Sequence, residues 1–190
     1  MLKGFPPNWA TKSGAIARAG QLLTLLERMP GKIVLAEVGV LDGRLSQVLL
    51  NYRADLYLYM VDMWDVPYAR YAESESQAAV MTADSTRKTR RHAELATCFA
   101  LDRRAIRQGL SVEVAKTLED GSLDAVFIDA DHTDAGVTED LEAWVPKVKR
   151  GGLIAGHDYG DGQWGVTAAV DRYFPERVET GADRVWWTWK

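Results

Sequence analysis

Residues 123–159, LDAVFIDADHTDAGVTEDLEAWVPKVKRGGLIAGHDY, constrain this chain more than any other stretch. Two short apolar runs, Leu123–Ile128 and 153–155, each stop at charged or imidazole side chains. The first stops at Asp129, Asp131 and His132, the second at His157 and Asp158. Between them Val137, Leu141, Trp144, Val145 and Val148 recur at helical spacing. Strand, helix, strand is a βαβ unit, whose crossover makes the strands parallel and brings their C-terminal ends to one edge. Two clusters distant in sequence are therefore expected to meet where open α/β sheets bind ligands.

The rest of the chain can be asked what it adds to that edge. At 190 residues it is long enough for one domain with a real core, and nearly half of it is apolar, with 7 Trp and 7 Tyr. A net charge of −4 argues against nucleic acid as a partner, and the one cysteine excludes an intramolecular disulfide. No apolar run approaches the roughly 20 residues that span a bilayer, and the N-terminus lacks the apolar stretch of a secretory signal. The expectation is a cytoplasmic protein with neither membrane nor nucleic-acid partners.

In chain order, residues 1–12 read as an extended lead-in, and Ser13 can cap a helix carrying Ile16, Leu22, Leu23, Leu26 and Met29. Pro30-Gly31 ends it. Residues 33–38 are a buried strand interrupted by Glu37, leading into Gly39-x-x-x-Gly43 and a helix over 45–52. Gly39 permits close backbone approach to a ligand and Gly43 permits tight packing, although the middle glycine of a dinucleotide pattern is replaced by Leu41. A carboxylate such as Glu37 in an apolar run costs free energy unless something pairs with it. Strand 56–61 ends at Asp62, at the separation where a carboxylate accepts hydrogen bonds from a ribose diol; a solvated loop aspartate is the plain alternative. Trp64 is read either as an adenine cover or as the edge of the core.

Residues 66–104 lose regularity and are expected to hold one or two helices above the ligand edge, as a lid or substrate wall. Their basic run, 87–92, reads as a solvated helix face that includes His92, with an anionic substrate as a minor option. Arg104–Gln108 is a third strand, followed by a helix over 112–118. A final helix over 162–173 and two strands, 177–180 and 184–189, close the chain as a hairpin across 181–183, with Trp186, Trp187 and Trp189 packing core and surface.

Together AEVGVLDG (36–43), Asp62, FIDADH (127–132), GVTEDLEAW (136–144), KRGGLIAGHDY (149–159) and GVTAAVDRYF (165–174) resemble the class I S-adenosylmethionine-dependent methyltransferases. The likeness is to the small bacterial group close to macrocin-type O-methyltransferases, and it covers residues 32–190. It implies one α/β domain over 1–190, with 1–31 as lead-in and helix. The implied architecture is a Rossmann-like seven-stranded sheet of order 3-2-1-4-5-7-6, strand seven antiparallel, with helices on both faces.

For the cofactor, the resemblance puts Gly39 and Gly43 at the methionine end with Glu37 near the amino group. Asp62 would take the ribose with Met63 beside it, Ser111 would lie by the adenine, and Asp129 would also contact the cofactor. Metal-dependent members similar to catechol O-methyltransferase place ligands where this chain has Asp129, His157 and Asp158. An all-oxygen set suits Mg²⁺ or Ca²⁺, and the imidazole adds Mn²⁺, Fe²⁺ and Zn²⁺, so Mg²⁺, Mn²⁺ or Fe²⁺ is expected. His132 falls where the catechol enzymes carry a lysine base, and an imidazole suits that work near neutral pH.

The expected activity is thus metal-assisted O-methylation of a small hydroxylated acceptor, a sugar or phenol of a secondary metabolite, with Asp129, His132 and His157 catalytic. A metal-independent transferase with a histidine base, a non-catalytic cofactor-binding protein, or a hydrolase on the same scaffold are the alternatives. Asp131 is expected to orient its neighbours and Asp140 to face solvent. A homodimer through the N-terminal helix and the aromatic C-terminal strands is compatible with the sequence.

Overall fold

The computed structural model describes residues 5–6, 8, 10, 14–64, 83–162 and 165–190. Seven strands form one sheet: β1 (Ile33–Val38), β2 (Leu56–Asp62), β3 (Arg104–Gln108), β4 (Leu123–Ile128), β5 (Val148–Gly156), β6 (Glu179–Thr180) and β7 (Trp186–Trp189). Their order is β3-β2-β1-β4-β5-β7-β6, as the resemblance implied. β3, β2, β1, β4 and β5 run parallel, and β7 is antiparallel to both β5 and β6. The register fixes the site: Val38 pairs with Val61 on one side and Ile128 on the other, and Ile128 pairs with Gly156. The next residue on each strand path, namely Gly39, Asp62, Asp129 and His157, follows at one level of the sheet edge.

Both faces of the sheet are covered, which is why the central strands are apolar without alternation. Helices α1 (Ala15–Leu26), α2 (Arg44–Tyr52) and α3 (Ala83–Ala96) cover one face, where Leu22, Leu26 and Leu49 meet Leu35, Leu58 and Phe127. Helices α4 (Ser111–Ala115), α5 (Asp134–Trp144) and α6 (Val166–Tyr173) cover the other, where Leu141, Trp144 and Val170 meet Ala36, Val126 and Ile154. No helix among the described residues is long and apolar enough to cross a membrane.

Several element bounds differ from expectation for local reasons. Pro146 cannot donate to the preceding turn, so α5 stops at Trp144 and residues Val145–Lys147 form a 3-10 turn. Val148, expected on the helix, is instead the first residue of β5, paired with Leu123. The helix after β3 covers Ser111–Ala115, not 112–118, and the closing strands are shorter than read because Ala182–Arg184 is a 3-10 turn. Gly14 stands at the N-cap of α1, while the expected cap Ser13 lies outside the described residues. Ile16 is exposed, not part of the core. Trp186 and Trp187 are buried and Trp189 half-buried, as read. The described part of 66–104 holds α3 and the 3-10 segment Cys98–Arg103; the lid expected over its first part falls outside the described residues. His92 is exposed on α3.

Phe127 sits wholly buried on the central strand beneath α1 and α2. Phe127→Ala should cost about 3 kcal/mol or more. Thermal unfolding should then show the midpoint falling by roughly 6 °C or more, with Phe127→Leu much milder.

Candidate active site

The edge row is built from its turns upward. Gly39 has φ 90, and a Cβ there would lie 1.9 Å from the Asp129 carbonyl oxygen, so the ends of β1 and β4 touch only because residue 39 is glycine. Asp62 braces the turn that follows. One carboxylate oxygen accepts from the Val40 and Leu41 amides at 2.9 and 2.8 Å, and the other from the Trp64 amide at 3.0 Å. The Trp64 indole donates to the Leu41 carbonyl at 2.8 Å and is completely buried in the core, which rules out its reading as an adenine cover. Asp62 and Met63 border the cavity. Gly43 does not: it caps α2 in a left-handed conformation with its α-carbon against Ala93 of α3, so its role is packing between helices.

Glu37 projects from β1 toward α2 and is 1% exposed, with the Ser46 hydroxyl donating to its carboxyl. Burial pushes that carboxyl up to about 8, against the downward pull of the Ser46 hydrogen bond and with a further upward push from Asp129. Glu37 still lines the cavity, so a positive ligand group could discharge its proton there.

Past β4 and β5 the two clusters meet as expected. His132 Nε2 lies 3.2 Å from Asp158 Oδ2 and 3.6 Å from Asp129 Oδ1. His157, 6% exposed, lies behind them, with Nδ1 at 3.1 Å from Asp158 and 3.5 Å from Asp129 and Nε2 at 3.4 Å from Asp183. Ligand atoms of Asp129, His132 and Asp158 all fall within 4.8 Å of one another, a spread that fits a single divalent ion. The imidazole in this trio is His132; the resemblance implied His157, whose Nδ1 also lies within 3.5 Å of both carboxylates.

Two arginines that sequence reasoning missed complete the centre. Arg18 of α1 donates to Asp129 Oδ2 at 2.6 Å and to Asp183 Oδ2 at 3.2 Å. Arg184 lies 2.8 Å from Asp158 Oδ1 and also pairs with Asp161. Asp158, Asp183 and Arg184 all hold left-handed backbone, at φ 59, 54 and 56, a cost that non-glycine residues bear mostly at functional sites. Burial raises the Asp129 carboxyl, but the nearby imidazoles of His132 and His157 and the Arg18 charge outweigh it and hold it well below the usual range. Burial likewise opposes ionisation of Asp158, and His157 overrides it, leaving that carboxyl lowered too. Burial would lower His157, yet Asp129 and Asp158 bring it up to about 9. Arg18 and Asp183 carry no local signal of this role, since each is paired across more than a hundred residues.

At the other end of the cavity lies Asp140, expected in solvent but 3% exposed. α5 packs against α4, so the Ser111 hydroxyl donates to Asp140 Oδ1 while accepting from Trp144 Nε1 at 2.7 Å. Burial pushes the Asp140 carboxyl up to about 7, opposed by Ser111 and reinforced by Asp131 and Glu139. Asp131 accepts from the Thr133 amide at 2.7 Å, beside the start of α5. One cavity of about 640 Å³ joins these pieces, from Ser111 and Asp140 past Asp62 and Gly39 to Asp129, His132, His157 and Asp158.

Residues 36–159 match a family model described as a methyltransferase domain. No curated protein matches the chain. Among solved structures, the calicheamicin methyltransferase CalS11 is similar at TM-score 0.65 and 14% identity, over 91% of this chain and 77% of that one. The O-methyltransferase NovP is similar at TM-score 0.64 and 18% identity, over 92% and 80%. A precorrin 8w decarboxylase from Methanobacterium thermoautotrophicum is similar at TM-score 0.60 and 16% identity, over 96% and 94%. At such identities the likeness is one of fold, and the decarboxylase among them means that the sheet alone does not name a reaction.

The buried Glu37 makes a pH prediction. Its folded value near 8 stands above its ordinary 4.5, so between those limits the folded chain keeps a proton that the unfolded chain has lost. The associated stability is complete below the lower limit and is lost as pH rises through the upper one. Glu37→Gln should flatten this decline relative to the parent protein in urea unfolding compared at about pH 5 and about pH 8.

Proposed function

The chain belongs to the methyltransferase-domain family matched over residues 36–159, and from that premise we propose that it is an S-adenosylmethionine-dependent O-methyltransferase acting on a small hydroxylated acceptor. The observation that carries this reading is the single cavity in which the Gly39 turn stands beside Asp129, His132 and Asp158. The acceptor in this reading is a sugar hydroxyl or a phenol; CalS11, which shares the fold, is described as a TDP-rhamnose 3'-O-methyltransferase.

In this reading the cofactor lies along the strand-end row. The Gly39 turn and Glu37 receive the methionine end, Asp62 and Met63 border the ribose, and Ser111 with Asp140 borders the adenine. The Ser111 proton is already donated to Asp140, so its hydroxyl offers the ligand an acceptor lone pair. Asp129, His132 and Asp158 would hold a divalent ion, with Mg²⁺, Mn²⁺ or Fe²⁺ as candidates. When bound, the cofactor supplies an electrophilic methyl group on a sulfonium, and the ion lowers the pKa of a coordinated hydroxyl. His157, fixed between Asp129, Asp158 and Asp183, holds both carboxylates in place. Enclosure by the cavity walls would align the acceptor oxygen with the methyl carbon for in-line displacement, the hydroxyl proton passing to solvent and the thioether leaving as the sulfur–methyl bond breaks.

A second, metal-independent reading is favoured by one observation: Arg18 and Arg184 already pair with Asp129 and Asp158 at 2.6 and 2.8 Å. There His132, partly open to the cavity, takes the acceptor's hydroxyl proton as general base.

Calorimetric titration of S-adenosylmethionine into metal-stripped protein, alone and with Mg²⁺, Mn²⁺ or Fe²⁺, tests both. Cofactor binding with metal binding abolished by Asp158→Ala, and transfer to a panel of hydroxylated acceptors reduced about a hundredfold or more, is the expected result. Chelator-insensitive transfer that survives Asp158→Ala would move the assignment to the metal-independent reading. Absence of cofactor binding would sink both.

A further inference from the structure

The pairing around the acceptor centre is divided by oxygen atom. Asp129 Oδ1 and Asp158 Oδ2 are the oxygens that face His132, at 3.6 and 3.2 Å. The remaining oxygen of each carboxylate lies against a guanidinium: Asp129 Oδ2 accepts from Arg18 at 2.6 Å, and Asp158 Oδ1 forms an ion pair with Arg184 at 2.8 Å while also facing His157 Nδ1 at 3.1 Å. Each carboxylate thus has an inner oxygen facing the trio and an outer oxygen carrying a guanidinium. Neither arginine belongs to the β4 or β5 strand ends. Arg18 comes from α1, and Arg184 from the 3-10 turn before β7.

The Arg18 pair is largely withdrawn from water, with side-chain exposures of 21% and 14%, so its charge is weakly screened. Asp183 anchors it from the far side: Oδ2 accepts from Arg18 Nε, and Oδ1 accepts from the Gly14 amide at the start of α1. Arg184 is more exposed, at 48%, and is shared with Asp161. The two carboxylates of the trio therefore meet two permanent positive charges before any ion arrives. A divalent ion on the inner oxygens would stand close to both guanidinium groups and be repelled by them, while each carboxylate could offer it one oxygen only.

We propose that Arg18 and Arg184 are resident counter-cations of the acceptor centre, which hold its affinity for divalent metal down and so set how far the site depends on metal. This rests on the metal-binding reading of Asp129, His132 and Asp158 given above. Arg18 is the dominant partner because its ion pair is shorter and less exposed. A lysine in its place keeps the charge, whereas a glutamine keeps length and polarity and removes it.

Mn²⁺ titration of the metal-stripped full chain, followed by the electron paramagnetic resonance signal of free Mn²⁺, tests the proposal. Arg18→Gln should bind Mn²⁺ about tenfold tighter or more, and Arg18→Lys should stay near the parent protein. Arg184→Gln should tighten binding by a smaller factor, in keeping with its exposure; it carries the test if Arg18→Gln fails to fold. Unchanged or weaker Mn²⁺ binding in the glutamine variants would overturn the proposal, because the arginines would then orient the carboxylates and not neutralise them. If parent and glutamine variants alike bind no Mn²⁺ while cofactor binding persists, the metal reading fails along with the proposal. If the parent binds Mn²⁺ and loses it on Asp158→Ala, but the glutamine variants gain nothing, the proposal alone fails.

Discussion

Register between parallel strands is the constraint on which the rest of this structure depends. Val38, Val61, Ile128 and Gly156 stand at one level, so the chain leaves four strands at the same height and deposits Gly39, Asp62, Asp129 and His157 in a row. A slip of one residue in any pair would turn a row member toward the opposite face of the sheet. Burial on both faces fixes that register, because Leu35 and Ala36, or Phe127 and Ile128, must enter different cores.

Polar groups are then tolerated at the buried end of the sheet by mutual pairing. Asp62 spends its charge on three amides, Glu37 keeps its proton beside Ser46, and Asp140 takes the Ser111 hydroxyl. The charged cluster past β4 and β5 solves the same problem by interleaving Asp129, Asp158 and Asp183 with Arg18, Arg184 and His157. Buried charges need such partners, and here the partners also shape what a ligand meets.

Much of this was legible in the sequence. β1 and β4 fall on the runs 33–38 and 123–128, because strands buried on both faces read as apolar blocks with abrupt ends, whereas β3 on 104–108 is a half-exposed edge strand, RAIRQ, without that signal. The meeting of FIDADH with GGLIAGHDY followed from the parallel strands that a βαβ crossover makes. The different placement of His132 and His157 was not legible, since both follow strand ends and only side-chain direction separates them. Arg18 looked like an ordinary polar position on an amphipathic helix, and Asp183 like a hairpin residue. Asp140 was misread because a helix face open in sequence is closed in space by α4. Val148 fitted a helical spacing that Pro146 had already interrupted.

The link from Gly14 and Arg18 to Asp183 spans 169 and 165 residues, and that from Arg18 to Asp129 spans 111. Contacts of such separation close late, after loop entropy has been met by nearer pairings. During synthesis the sheet from β3 to β5 can pair while Asp183 and Arg184 are still inside the ribosome. Until then the acidic strand ends stand without the Arg184 guanidinium, and α1 lacks the carboxylate that anchors its first turn. The β6–β7 hairpin is therefore made after the central strands, and its Asp183 and Arg184 complete the charge balance of a centre whose other members precede it in the chain.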